Sequence, residues 1–211
     1  MRNSVLDSYI AAVIASGVHI ALVFCVFAFG TVFCEDLERR YVYYEVIRGN
    51  AWKYVISKVI VIYLSSIAVI LLGTLVFTGV CRVFTPWTDM ESAYRLTSAG
   101  SFGALVSEGH YLLYCLLYSL HLGMFMGTLA VAAAFFSLYI SNTVLVLTVP
   151  LLLDQLLMEL PTNGLFSYLC FQPTSQLFGT EAWNLLSAAV LSIVPVLLLT
   201  AGIYQKMRRR L

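Results

Sequence analysis

Ionisable side chains are scarce in this chain, and chemistry would sit where the few of them enter apolar stretches. His19, His121 and Asp154 stand inside long apolar runs, and Glu159 closes one of them. A carboxylate in a bilayer is costly unless it meets water or a partner. Asp154 and Glu159, about a helical turn apart, are therefore either a wet interfacial pair or a polar contact on a path through the membrane. His121 has Phe125 at i+4, so no second metal ligand follows it on its helix. It is either a packed, hydrogen-bonded histidine or a path contact. Bis-histidine haem ligation would need two histidines facing each other at one depth, which spacing does not supply. Cys25, Cys34, Cys81, Cys115 and Cys170 form no CxxC pair, and three of them lie within or at the ends of apolar runs. That pattern suits packing better than metal binding. Cys81 and Cys170 are the two that could share one side of a membrane and bridge. No metal site and no catalytic residue is read. There is no GxxxxGK[ST] loop either, so the chain binds no ATP in the P-loop manner by itself.

The elements that must position these groups follow from composition. Of 211 residues, 61% are hydrophobic and 11% charged, less than half the roughly 25% charged residues of a soluble domain. Mean hydropathy is +0.90. A soluble domain of this size has too much surface to hide so much apolar area. An ordinary cytosolic protein, a disordered chain and a disulfide scaffold are all excluded. A net charge of +1 gives no basic excess for nucleic acid. Five apolar runs stand out, at about 9–33, 55–80, 111–136, 138–158 and 185–204. Each is long enough to span with some tilt. The backbone must satisfy itself in lipid, so each run is expected to be a helix. The alternation of a transmembrane barrel is absent. The expected fold is an all-α polytopic membrane bundle of five spans, one transmembrane domain over 1–211, with short interfacial or re-entrant helices. Pro150 should bend the fourth span and free a carbonyl near Val146. Gly123 and Gly127, followed by Ala130 and Ala134, form a small-residue stripe for close helix packing, within the subunit or across a dimer.

Lys and Arg set the orientation. Nine of the twelve lie in two regions, Arg39, Arg40, Arg48, Lys53 and Lys58 after the first run, and Lys206, Arg208, Arg209 and Arg210 at the C-terminus. Five spans put both regions on one side, which is then the cytoplasm. The segments at about 82–109 and 159–184 are then external, and the turn at 137–142 is internal and uncharged. Residue 1 falls outside, with no secretory signal pattern ahead of it. An N-out start of this kind is expected to follow an external elbow or an upstream span missing from this chain.

The stretch 35–54 is the densest in charge and aromatic residues. Arg39, Tyr43 and Val46, and Arg40, Tyr44 and Ile47, recur at three- and four-residue steps. That spacing predicts a short amphipathic helix over about 37–47, stopped at Arg48-Gly49-Asn50. Trp52 and Tyr54 stand where interfacial aromatics belong. The stretch is either a solvated loop at the headgroups or a docking helix for a cytoplasmic partner.

The acidic exit Glu35–Glu38, the stretch Tyr41–Ile47, the turn Arg48-Gly49 and the re-entry Trp52–Lys58 resemble, in that order, the permease subunits of type-2 ABC exporters. Leu138–Asn142 leading to Val149-Pro150, and the basic end Tyr204–Arg210, extend the resemblance from about residue 17 to the C-terminus. In that family the loop is a coupling helix against an ATPase. The resemblance therefore implies ATPase coupling through Glu38, Arg39, Arg40, Tyr43, Tyr44, Ile47, Arg48 and Gly49. It also implies a translocation path, for which His121, Asp154 and Glu159 are the candidates. Further implications are a separate ATPase carrying ATP and magnesium, no cofactor in this chain, a second permease subunit, and a plasma-membrane location with a cytoplasmic C-terminus. The external segment 159–184 would form short re-entrant helices, or else lie on the outer leaflet. Two departures stand: the family's first span has no counterpart here, and Arg39-Arg40-Tyr41 replaces a glycine often found after the acidic exit.

Three other readings compete on the residues. Glu35-Asp36 with Arg40 has the look of prenyl-protease-like membrane enzymes, but the residues four before each histidine are Ala15, Val106 and Leu117, not the required Phe. A secondary transporter would need paired broken helices, which are not seen. A non-catalytic membrane assembly or immunity protein shares the composition and remains the alternative.

Overall fold

A computed structural model describes residues 4–13, 18–27, 30, 32–38, 50–88, 102–140, 142–159 and 181–209. Every described element is a helix: α1 (Val5–Ala12), α2 (Val18–Phe27), α3 (Val32–Glu38), α4 (Ala51–Phe84), α5 (Gly103–Ser107), α6 (Tyr111–Phe136), α7 (Thr143–Glu159) and α8 (Glu181–Arg208). Three of them, α4, α6 and α8, are long and apolar enough to cross a membrane. The first expected run overlaps the described helices α1, α2 and α3, and the fourth is the 17-residue α7, which continues through Pro150.

The long helices expose many large apolar side chains and bury several small polar ones beside their apolar core residues. On α4, Ser66, Thr74 and Thr78 are buried while Leu64, Leu72, Val76 and Val80 are exposed. On α8, Asn184, Ser192 and Thr200 are buried while Leu186, Val190, Leu197 and Leu198 are exposed. Lipid gives apolar side chains no reason to turn inward, so small and hydroxyl-bearing residues take the helix contacts. The hydroxyls mostly satisfy themselves on their own helix. Ser66 donates to Ile62 O at 2.9 Å, Thr78 to Thr74 O at 2.7 Å and Thr200 to Val196 O at 2.7 Å.

Helix α6 is the hub and touches each of the other seven. Within its apolar window 67% of residues are buried, against 28% for α4 and 22% for α8. Its small-residue stripe explains why. A Cβ on Gly123 would lie 3.1 Å from the Ile67 backbone, and one on Gly127 would lie 2.8 Å from the Tyr63 ring. The stripe is thus spent on packing α4 within the subunit. Ser119 meets Thr74, Gly123 meets Ile67 and Gly127 meets Tyr63, so α4 and α6 run antiparallel. Thr128 meets Ser192 and Phe135 meets Gly202, so α6 and α8 run parallel.

The first run follows α4 along its length. The amides of Val5 and Leu6 donate to Pro86 O (2.9 Å) and Trp87 O (3.2 Å) just past the end of α4. Cys25 donates to Ser66 O midway, and Asp36 meets the first turns of α4. The start of α1 therefore lies at one end of the bundle. Lys53, Lys58, Lys206, Arg208 and the α6–α7 turn lie at the other, called here the basic end.

Candidate functional site

At the basic end the two described flanks of the 39–49 segment are fastened to the bundle. The Asp36 carboxylate, on α3, accepts a hydrogen bond from the Tyr54 hydroxyl and pairs with Lys58 Nζ at 3.0 Å. Lys58 also lies 5.7 Å from the centre of the Tyr54 ring, and Phe33 meets that ring edge-on at 6.4 Å. Tyr54 and Lys58 stand four apart on α4, so one carboxylate reaches both from the facing helix. Tyr54 is consequently buried, whereas Trp52 is 40% exposed. Asn50 caps α4 by accepting from the Trp52 amide at 3.0 Å, which fixes the re-entry into the helix.

From there a line of ring contacts runs around the basic end. Trp52 meets Tyr204 of α8 edge-on at 5.0 Å. Lys206, half a turn further, lies 4.3 Å from the centre of the Tyr139 ring in the α6–α7 turn, inside the range of a cation–π contact. Tyr139 in turn packs on Phe135 of α6 at 5.3 Å. The turn carries no charge, as expected, and Asn142 caps α7 through the Val144 amide at 3.0 Å.

A second group of polar residues lies deep in the bundle. Ser119 of α6 is hydrogen-bonded to Tyr9 of α1 at 2.6 Å and to Thr74 of α4 at 2.5 Å. Ser192 donates to Ala189 O, so the Tyr63 hydroxyl is the donor in its 2.8 Å bond to Ser192. His121 lies one heptad before Thr128, which keeps it on the face toward α8 within about 20°. Asn184 precedes Ser192 by about 12 Å and His121 precedes Thr128 by about 10 Å along parallel axes, so both share one level. Asp154 lies about 16 Å along α7 from the turn, and His121 about 22 Å back along α6, within roughly one turn of each other. Exposure is 0% for Asp154, 1% for Asn184 and 5% for His121. Each engages its surroundings. The stripe Val146, Pro150 and Asp154 is the buried edge of α7. The Asp154 side chain is fully buried within the bundle.

Of the residues singled out from sequence, His121 and Asp154 come to one level of the interior. The side chains of Glu38 and Glu159 lie outside the described residues, although each closes its helix. Arg39, Arg40, Tyr43, Tyr44, Ile47, Arg48 and Gly49 lie outside the described residues, as does most of the segment 159–184. Cys81 is a free thiol, so it makes no bridge to Cys170. Among the described residues no three His, Cys, Asp or Glu side chains gather as a metal site. Sequence reasoning missed Asn184, Tyr9, Thr74 and Ser119. Their signal was a polar residue recurring on the inward stripe of an otherwise apolar span. It also missed that Asp36, Tyr54 and Lys58 meet, for which the i, i+4 pair facing a span-ending acid was the available sign.

No family model, no curated protein and no solved structure matches this chain.

Proposed function

We propose that the chain is the membrane-spanning permease subunit of an ATP-driven exporter of the type-2 ABC class. The observation that supports this reading is the base of the 39–49 segment. A short basic and aromatic stretch leaves α3 at a clasped carboxylate and re-enters α4 at a capped first turn. Such a stretch is held at both of its described ends, as a coupling element for a cytoplasmic ATPase must be. On this reading the basic end is cytoplasmic and the membrane is the plasma membrane. The path α1–α3 is the first of five spans and α7 the fourth. Glu38, Arg39, Arg40, Tyr43, Tyr44, Ile47, Arg48 and Gly49 form the coupling surface. ATP and magnesium reside on the separate ATPase, and a second permease subunit completes the path. The level of His121, Asp154 and Asn184 gives that path its polar contact, with Glu159 above it. An interior so poor in charge suits an amphipathic or hydrophobic cargo. Transport requires inward- and outward-facing states that bind the cargo with different affinity.

The test is co-purification from native cells, with the solubilised chain probed for a stoichiometric P-loop ATPase. The triple variant Tyr43→Ala, Tyr44→Ala, Arg48→Glu should insert normally and lose stimulated ATP hydrolysis. Normal transport by that variant would sink the proposal. Absence of any ATPase beside the intact chain would instead favour an assembly or immunity role.

A further inference from the structure

Two contacts hold α4 and α8 side by side and antiparallel. Trp52 meets Tyr204 edge-on at 5.0 Å, and the Tyr63 hydroxyl bonds Ser192 at 2.8 Å. Trp52 to Tyr63 and Tyr204 to Ser192 are each roughly 17 Å of helix, so the pair keeps one register between them. Helix α6 packs on one side of this pair, at Tyr63 and at Gly202. The other side is open. On α4, Lys53, Ile60 and Leu64 recur at steps of seven and four, which places them on one stripe, and all three are exposed. That stripe lies about 100° round the helix from Trp52, turned away from the buried line Val55, Val59 and Ile62. On α8, Arg208 and Leu197 stand eleven apart on one stripe beside Tyr204, both exposed and turned away from buried Ile203 and Met207. Because the two helices are of one hand and antiparallel, the stripes flank their seam on the same side, opposite α6. Ile60 and Leu197 lie at nearly one depth, roughly 12 and 10 Å inward of the Trp52–Tyr204 contact.

The seam is therefore headed by cations and apolar below them. Arg208 suits the C-terminal end of its helix, but Lys53 stands in the first turn of α4, where the helix dipole opposes a cation. Among the described residues neither Lys53 nor Arg208 is in an ion pair. Asp36 is turned to Tyr54 and Lys58, on another flank of α4. Helix α4 carries no acidic residue, and α8 carries only Glu181 at its far end. Lys206 differs, since its ammonium lies 4.3 Å from the centre of the Tyr139 ring. Basic residues at a boundary between spans attract anionic headgroups, and an exposed tryptophan there suits the headgroup level. We propose that the outer seam of α4 and α8 binds one anionic phospholipid, with its phosphate between Lys53 and Arg208 and an acyl chain along Ile60 and Leu197. The site goes beyond the transport reading and needs no ATPase. If the basic end is cytoplasmic, the lipid comes from the inner leaflet.

The test is native mass spectrometry of the full chain released from detergent micelles, titrated with phosphatidylglycerol or phosphatidylcholine carrying the same acyl chains. Phosphatidylglycerol should bind one to one and more tightly than phosphatidylcholine. The double variant Lys53→Gln, Arg208→Gln should weaken phosphatidylglycerol binding roughly 30-fold and leave phosphatidylcholine as it was. Both positions are exposed, so folding should not suffer. The double variant Lys206→Gln, Arg209→Gln removes the same charge from the same end and should keep phosphatidylglycerol binding near that of the parent chain. Equal weakening in the two doubles would overturn the site, because the attraction would then belong to the basic end as a whole. Equal binding of the two lipids by the parent chain would overturn it as well. Neither inorganic phosphate nor glycerophosphoglycerol, the headgroup without chains, should displace the lipid. Displacement by either would replace the lipid site with a simple anion site. A dimer mass that falls apart in the first double variant would also overturn the proposal, since the seam would then be a contact between two copies of the chain.

Discussion

The hydroxyl of Ser119 joins α1, α4 and α6 through two short hydrogen bonds, to Tyr9 and to Thr74. In a membrane such a bond is worth about 0.6 kcal/mol on average and rarely more than about 1.7, because the unfolded state also finds partners. Removing the shared group differs from removing one end. Ser119→Ala takes that partner from Thr74 and leaves Tyr9 only its long bond to Cys115 O at 3.5 Å, a cost of about 1–3 kcal/mol. Tyr9→Phe leaves Ser119 bonded to Thr74 and should cost under about 1 kcal/mol. Unfolding by titration with a denaturing detergent should rank Ser119→Ala as clearly the less stable, and equal midpoints would contradict this reading. At the same scale the two carboxylates of interest have separate jobs. Asp36 is a partly exposed structural anchor and Asp154 a fully buried group in the bundle. In the sequence both are simply acids at or near the end of an apolar run.

Among elements, the approach of α4 to α6 is set by glycines whose neighbours are very close. A side chain at Gly127 would drive into the Tyr63 ring at 2.8 Å. Since Tyr63 also holds Ser192 of α8, the shift would spread to a third helix. Gly127→Leu should therefore cost at least the roughly 1–3 kcal/mol of an overpacked core and lower the yield of folded protein. Gly73 faces open space on the exposed side of α4, with nothing within 4 Å. Gly73→Ala should be neutral or stabilise by up to about 1 kcal/mol through helix propensity. Thermal aggregation of the two variants beside the parent chain checks both. A destabilised Gly73→Ala would mean that this face is covered by another subunit in the assembly. The hub role of α6 has the same origin. Its run of Ala130, Val131, Ala132, Ala133 and Ala134 is buried all round, and small residues on every face let neighbours in on every side.

For the whole molecule, the described ends of the bundle differ in charge. Lys53, Lys58, Lys206, Arg208 and Arg209 gather at one, while Arg82, Glu108 and the start of α1 lie at the other. If the basic end is cytoplasmic, a cysteine at exposed Glu108 should react with an impermeant maleimide on intact cells, and one at Arg209 only after permeabilisation. The reverse pattern would invert the molecule and detach the 39–49 segment from any cytoplasmic ATPase. Composition together with long unalternating apolar runs determined that the protein is an apolar helical bundle, because such runs satisfy their backbone as helices and lack the alternation of a barrel. Run lengths located α4, α6 and α8, and α6 to the residue, since a long uninterrupted apolar run in lipid can only be a helix. The placement of α1, α2 and α3 along α4 was not legible. The residues of the first run are as apolar as those of α4, and the register against α4 and α6 decides where each helix lies. Nor could one dimension say which polar residues share a level. His121, Asp154 and Asn184 are far apart in the chain, and only the parallel run of α6 and α8 and the return of α7 bring them to one depth. The same holds at the basic end. The sequence placed Trp52, Tyr139, Tyr204 and Lys206 at or near the ends of apolar runs, but their contacts exist because three helices end together there, and helix packing alone decides that.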